Sequence, residues 1–115
     1  MDASSRKLPV IDQGVIEDIV ARLLRAAPPG SKVILFGSHA RGDADARSDV
    51  DLMVIEPEVK DRFGEMVRLD AALDPLPIPV DVLVASAAEF DYWQDTPNTI
   101  FFRVAREGKT YESTT

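Results

Sequence analysis

Two apolar runs, Val33-Ile34-Leu35-Phe36 and Val50-Asp51-Leu52-Met53-Val54-Ile55, flank a polar segment that opens with Gly37-Ser38 and closes with Ser48-Asp49. The runs read as strands, Lys32 to Phe36 and Val50 to Ile55, and the turn between them constrains what the chain can become. Side chains two apart on a strand share a face, so Asp49 and Asp51 project side by side, about 7 Å apart at Cα. Carboxylates so placed, with no obvious basic partner, repel each other unless a cation sits between them. Hard oxygen ligands of this kind suit Mg²⁺. The Gly37-Ser38 turn is the complement, because backbone N–H groups at the start of a helix attract phosphate. A phosphate cradle beside a carboxylate pair points to nucleotide chemistry. The bland alternatives are a solvated loop-to-strand junction for the two aspartates and an ordinary turn with a serine N-cap for Gly37-Ser38.

The rest of the chain supplies elements to pack around these strands. Apolar Ile16, Ile19, Val20, Leu23 and Leu24 predict a helix from about Asp12 to Ala27, with Asp18 and Arg22 able to pair on its outer face and Pro28-Pro29-Gly30 ending it. Ser38 to Gly42 is one short helical turn, and Asp43 to Arg47 a polar loop. A second long helix is expected from Glu58 to Leu73, then a break at Asp74-Pro75-Leu76-Pro77 and a third strand from Val80 to Val84. Ser86 and Glu89 have capping-box spacing, and Thr96-Pro97 reads as the start of a last helix that Gly108 ends. Residues 1–9 form a polar, mobile arm, 10–108 one domain, and 109–115 a tail with a short edge strand at Thr110-Tyr111. The fold class is α/β, of α+β type: a small mixed sheet flanked by helices.

Composition narrows the function. A chain of 115 residues, 45% hydrophobic and 29% charged, is one ordinary globular domain. A net charge of −7 argues against direct nucleic-acid binding. It leaves room for one nucleotide held through metal and favours a basic partner. With no cysteine there is neither a disulfide framework nor thiolate catalysis. No apolar run reaches the roughly 18 residues of a membrane span, and Met1 to Lys7 lacks the apolar stretch of a signal peptide. A cytoplasmic location is the expectation.

Gly37-Ser38, Arg41-Gly42 and Ser48-Asp49-Val50-Asp51-Leu52 together resemble the signature of the nucleotidyltransferase superfamily, polymerase-beta-like, in its minimal single-domain branch. The resemblance covers roughly residues 10 to 108 and implies a palm-like fold. It implies Asp49 and Asp51 as metal ligands and catalytic residues, with Asp81, on the later strand, as the third carboxylate. In a two-ion site the Mg²⁺ ions lie about 3.5–4 Å apart and clamp the attacking and leaving oxygens. Asp81 stands between apolar neighbours on an expected inner strand. There a buried carboxylate needs a metal or serves as general base, unless it lies on the solvent face of an antiparallel edge strand. Gly37 and Ser38 would hold the β- and γ-phosphates. Arg41 either contacts phosphate or acts as a strut to Asp49 or Asp43. Ser48 orients Asp49 or caps the turn. His39, the only histidine, reads as incidental.

The expected activity is Mg²⁺-dependent transfer of AMP, or another nucleoside monophosphate, from a triphosphate such as ATP to an acceptor hydroxyl. The chain has no second domain to bind a bulky acceptor, which favours one presented by a partner protein. Members of the minimal branch resemble antitoxins paired with a HEPN-type toxin, some of which AMPylate it. The alternatives are a non-catalytic antitoxin that neutralises its partner by occlusion, and transfer to a small molecule. Phe90, Tyr92, Trp93, Phe101 and Phe102 cluster near the C-terminus. Most belong to the core. Phe101 and Phe102 cannot both face it, so one of them, or Trp93, belongs to a homo- or hetero-oligomer interface.

Overall fold

The computed structural model describes residues 11–45 and 47–113. The N-terminal arm expected at residues 1–9 lies outside them. Helix α1 (Gln13–Ala26) leads into strand β1 (Lys32–Phe36), the short helix α2 (Ser38–Arg41) and strand β2 (Val50–Glu56). Helix α3 (Arg62–Ala71), strand β3 (Val80–Ser86), helices α4 (Ala87–Trp93) and α5 (Ile100–Glu107), and strand β4 (Lys109–Glu112) complete the order. The four strands form one mixed sheet, β3-β2-β1-β4. β1 pairs antiparallel with β2 and with β4, whereas β2 and β3 run parallel, joined through α3.

The two central strands read as unbroken apolar runs because both faces of the sheet are covered. On one face Val33, Leu35, Val50, Leu52, Val54, Val82 and Val84 pack against Ile16, Ile19, Val20 and Leu23 of α1 and Leu69 of α3. On the other Ile34, Phe36, Met53, Ile55 and Ala85 pack against Val104 of α5, with Phe90 and Phe101 alongside. The expected Asp18–Arg22 pair forms at 3.1 Å. Among the described residues no helix is long and apolar enough to cross a membrane.

Helix starts depart from the sequence reading where side-chain caps decide them. α3 begins at Arg62 rather than Glu58 because Asp61 accepts from the Gly64 N–H at 3.0 Å. α5 begins after Thr99 rather than at Thr96-Pro97. The Thr99 hydroxyl accepts from Phe102 N at 3.1 Å and donates to Thr96 O at 2.8 Å, and Asn98 before it has φ +70. The capping box at Ser86 and Glu89 forms as read. Phe101 packs edge-on to Phe90 at 6.4 Å, while its neighbour Phe102 lies beneath the Arg106 guanidinium. Tyr92 and Trp93 stack edge to face and stay exposed.

At the far end of β2, Glu56 is buried beside Glu65 and Arg68 of α3, and its Oε2 finds no partner among the described residues. Burial, then the hydrogen bond and charge of Glu65, push Glu56 up to about 7, while Arg68 and the bond from Glu56 pull Glu65 down to about 2. Glu56 therefore holds its proton to higher pH than a free carboxyl does. The folded state holds that proton after the unfolded chain has released it, so this pair makes stability fall as pH rises from about 4.5 towards 7. Glu65 works oppositely, and its contribution is lost as pH drops from 4.5 towards 2. Glu56→Gln keeps a donor facing Glu65 without the titration. Denaturant unfolding at pH 5 and pH 8 should show the variant gaining on wild type by about 1–3 kcal/mol more at pH 8 than at pH 5; equal gains at both pH values would exclude a raised Glu56 pKa.

Candidate active site

The candidate residues gather where β1 ends and β2 and β3 begin. Phe36 pairs with Asp51 across β1–β2, and Asp51 with Asp81 across β2–β3. Asp51 has the parity of Met53 and Ile55, and Asp81 that of Leu83 and Ala85, so both carboxylates stand on the α4/α5 face of the sheet. Asp49 lies just before β2 and is exposed, and Asp51 is half-buried. Asp81 is exposed. The expectation of a buried Asp81 on an inner strand is corrected by the strand order: β3 is the sheet edge, parallel to β2, and its start is open to solvent.

The turn between β1 and α2 depends on Gly37. Its φ of 77° and ψ of −158° fall where only glycine is at ease. A Cβ placed there would overlap Asp51 Oδ2. Gly37, not Ser38, is the N-cap, and Ser38 is the first residue of α2, its carbonyl accepting from Gly42 N at 2.9 Å and Asp43 N at 3.1 Å. Ser48 does not touch the turn through its hydroxyl. That group accepts from Asp45 N at 2.9 Å and holds the Asp45 loop, while the Ser48 carbonyl meets His39 Nε2 at 3.2 Å.

Arg41 is tied on two sides. Its Nε donates to Asp43 at 3.2 Å, and its Nη1 donates to both oxygens of Glu107 at 3.2 and 3.3 Å. Glu107, at the end of α5, also accepts from the Gly37 N–H at 2.7 Å and from Arg103 Nε at 3.2 Å. Burial pushes the Glu107 carboxyl up, but the Gly37 N–H, Arg41 and Arg103 together hold it below the usual carboxylate range. Arg103 lies 5.7 Å from the Phe36 ring centroid, on the same face as the carboxylates. Sequence reasoning missed both α5 residues. The only local signal was an Arg-to-Glu spacing of four, which is common on any helix.

The charges around Asp51 bear on metal binding. Burial raises its pKa, the charge of Asp81 adds to this and Asp49 contributes less, while Arg103 and His39 oppose. Among the described residues, no group of three or more His, Cys, Asp or Glu side chains is gathered into a ready-made metal cage. The donor chemistry nonetheless fits a hard divalent cation: carboxylate oxygens only, on a partly desolvated carboxylate destabilised by its acidic neighbours.

This geometry coincides with the comparisons. Residues 16–105 match the nucleotidyltransferase domain, and the chain belongs to that family. The fold is similar to the crystal structure of a "putative nucleotidyltransferase" from Sulfolobus solfataricus, with TM-score 0.58 and 23% identity over 84% of this chain and 75% of that one. A chain of a toxin–antitoxin complex with AMP-PNP aligns with TM-score 0.51 and 26% identity over 85% of this chain and 74% of that one. A complex of a tri-AMPylated Shewanella oneidensis HEPN toxin with an MNT antitoxin aligns with TM-score 0.50 and 23% identity, covering 89% and 74%. A "putative protein adenylyltransferase" of Methanocaldococcus jannaschii is 57% identical over 28 residues, which span 24% of this chain and 28% of that relative.

Two glycine substitutions separate backbone strain from the Asp51 contact. At Gly42, φ is +88° and nothing lies within 4 Å of an added Cβ, so Gly42→Ala should cost about 1–2 kcal/mol in urea unfolding, from backbone alone. Gly37→Ala adds the clash with Asp51 and should cost about 2–4 kcal/mol. Equal costs would show that Asp51 yields freely.

Proposed function

We propose that the chain transfers a nucleoside monophosphate, AMP in the first instance, from a triphosphate to a hydroxyl on a partner protein. The observation that carries this reading is the row of Phe36, Asp51 and Asp81 in register across three adjacent strands, with the Gly37 turn that follows Phe36 directly against the Asp51 carboxylate. Asp51, with Asp49 and Asp81, would hold Mg²⁺. When bound, Mg²⁺ would neutralise triphosphate charge and acidify the attacking hydroxyl. The Gly37-Ser38 turn and Arg41 would orient the β- and γ-phosphates. The acceptor oxygen attacks the α-phosphorus, the bond from that phosphorus to the bridging oxygen breaks, and pyrophosphate leaves. Alternatively to holding metal, Asp81 would take the hydroxyl proton, a role that its exposure on the edge strand supports for a bulky acceptor.

The likeness to a toxin–antitoxin chain solved with AMP-PNP, and the short match to a protein named as an adenylyltransferase, support an ATP substrate and a protein acceptor. A HEPN-type toxin is the acceptor to test first, since the S. oneidensis complex contains an AMPylated one. One observation favours a second reading, neutralisation by occlusion. Phe63 and Val67 on α3, and Tyr92 and Trp93 on α4, are exposed large apolar side chains suited to a partner surface.

The test is co-expression with the neighbouring encoded chain, purification of the complex, and intact mass of the partner after incubation with ATP and Mg²⁺. One or more AMP additions are expected, reduced about a hundredfold or more in rate by Asp49→Asn/Asp51→Asn. A stable complex without any addition would favour occlusion, and no complex would favour a small-molecule acceptor.

A further inference from the structure

Glu107 stands in an odd place. It is the last residue of α5, where the helix dipole disfavours an anion. Its carboxylate nonetheless has a full set of donors: the Gly37 N–H at 2.7 Å, Arg41 Nη1 on both oxygens and Arg103 Nε at 3.2 Å. Its side chain is only 18% exposed. A backbone N–H from a glycine turn together with a guanidinium is the donor set that a phosphate oxygen takes. The Gly37 N–H has one hydrogen, so it cannot serve Glu107 and a phosphate together. Arg41 is committed in part, its Nε to Asp43 and its Nη1 to Glu107, which leaves the Nη2 donors to a ligand.

We propose that Glu107 is a built-in competitor for nucleotide phosphate: it occupies the Gly37–Arg41 cradle in the free protein and yields those donors when a triphosphate binds, and so sets the site's affinity. This rests on the nucleotide reading of the site given above and deepens it. A phosphate carries more charge than a carboxylate and offers more acceptor oxygens, so it can win the exchange. Arg103, four residues earlier on α5 and already bonded to Glu107, can keep the displaced carboxylate paired. Any Glu107 charge left near the cradle still repels the incoming phosphates.

The decisive variant is Glu107→Gln, which keeps an acceptor for Gly37 and removes the charge. Calorimetric titration with ATP and Mg²⁺, without acceptor, should show the variant binding about tenfold more tightly than wild type. If Glu107 is only a strut for Arg41, the variant binds equally or more weakly, and the inference is overturned while the nucleotide reading stands. Binding by neither protein overturns both. A second measurement needs no variant. The Gly37 amide resonance of ¹⁵N-labelled wild type should move as the carboxylate bond is exchanged for phosphate during the ATP titration. A Gly37 signal unmoved at saturating ATP overturns the exchange.

Discussion

The space left by the missing side chain of Gly37 is what the candidate site depends on. Asp51 Oδ2 lies where a Cβ would stand, and the backbone there adopts a φ of 77° that other residues resist. Because β1 can turn at this point, α2 folds back beside the start of β2 instead of extending the strand. The sheet fixes the other half of the geometry. Antiparallel pairing sets Phe36 opposite Asp51, and parallel pairing sets Asp51 opposite Asp81. A one-residue slip in either ladder would turn a carboxylate to the α1/α3 face, into an apolar core. The hydrophobic pattern that stabilises the fold therefore also aims the acidic residues.

Helix α5 closes the arrangement from a distance of many residues in sequence. Its Val104 is buried against Ile34, Phe36 and Met53, which fixes the helix over the sheet. Arg103 and Glu107 are thereby carried to the turn, one over the Phe36 ring and one onto the Gly37 N–H and Arg41. Glycine at 108 matters for the same reason. A Cβ there would overlap Ile34 and the Val104 carbonyl, so the chain can pass directly from α5 into β4 against β1.

Much of this was legible in the sequence, and the physical reason is locality. The strands announced themselves as apolar runs, and the Gly37-Ser38 turn carries its geometry within a few residues. Caps such as Ser86 with Glu89 are local too. What sequence could not supply was everything set by tertiary order. Asp81 looked buried because its neighbours are apolar, yet Val80 and Val82 owe that character to packing under α3, while Asp81 points to the other side of an edge strand. Arg41 could have paired with Asp43 or Asp49. The structure gives it Asp43 together with a residue 66 positions away, which no spacing rule predicts. The start of α5 moved from Thr96 to Thr99 because both residue types are good caps, and it is Thr99, after the Asn98 turn, whose hydroxyl takes the Phe102 N–H.

The charge around the site sets a further condition on any ligand. Arg41 pairs with Asp43 and Glu107, and Arg103 with Glu107, while Asp51 feels Arg103 on one side and the acidic Asp81 and Asp49 on the other. The chain as a whole is also acidic, at −7. A triphosphate approaching alone would meet a field of its own sign, and the two arginines are already paired. On the nucleotide reading, affinity must come from cations that arrive with the phosphates, and from donors released inside the site rather than from a standing positive patch. On the same reading, the field that repels bare polyphosphate would favour a partner whose contact surface is basic.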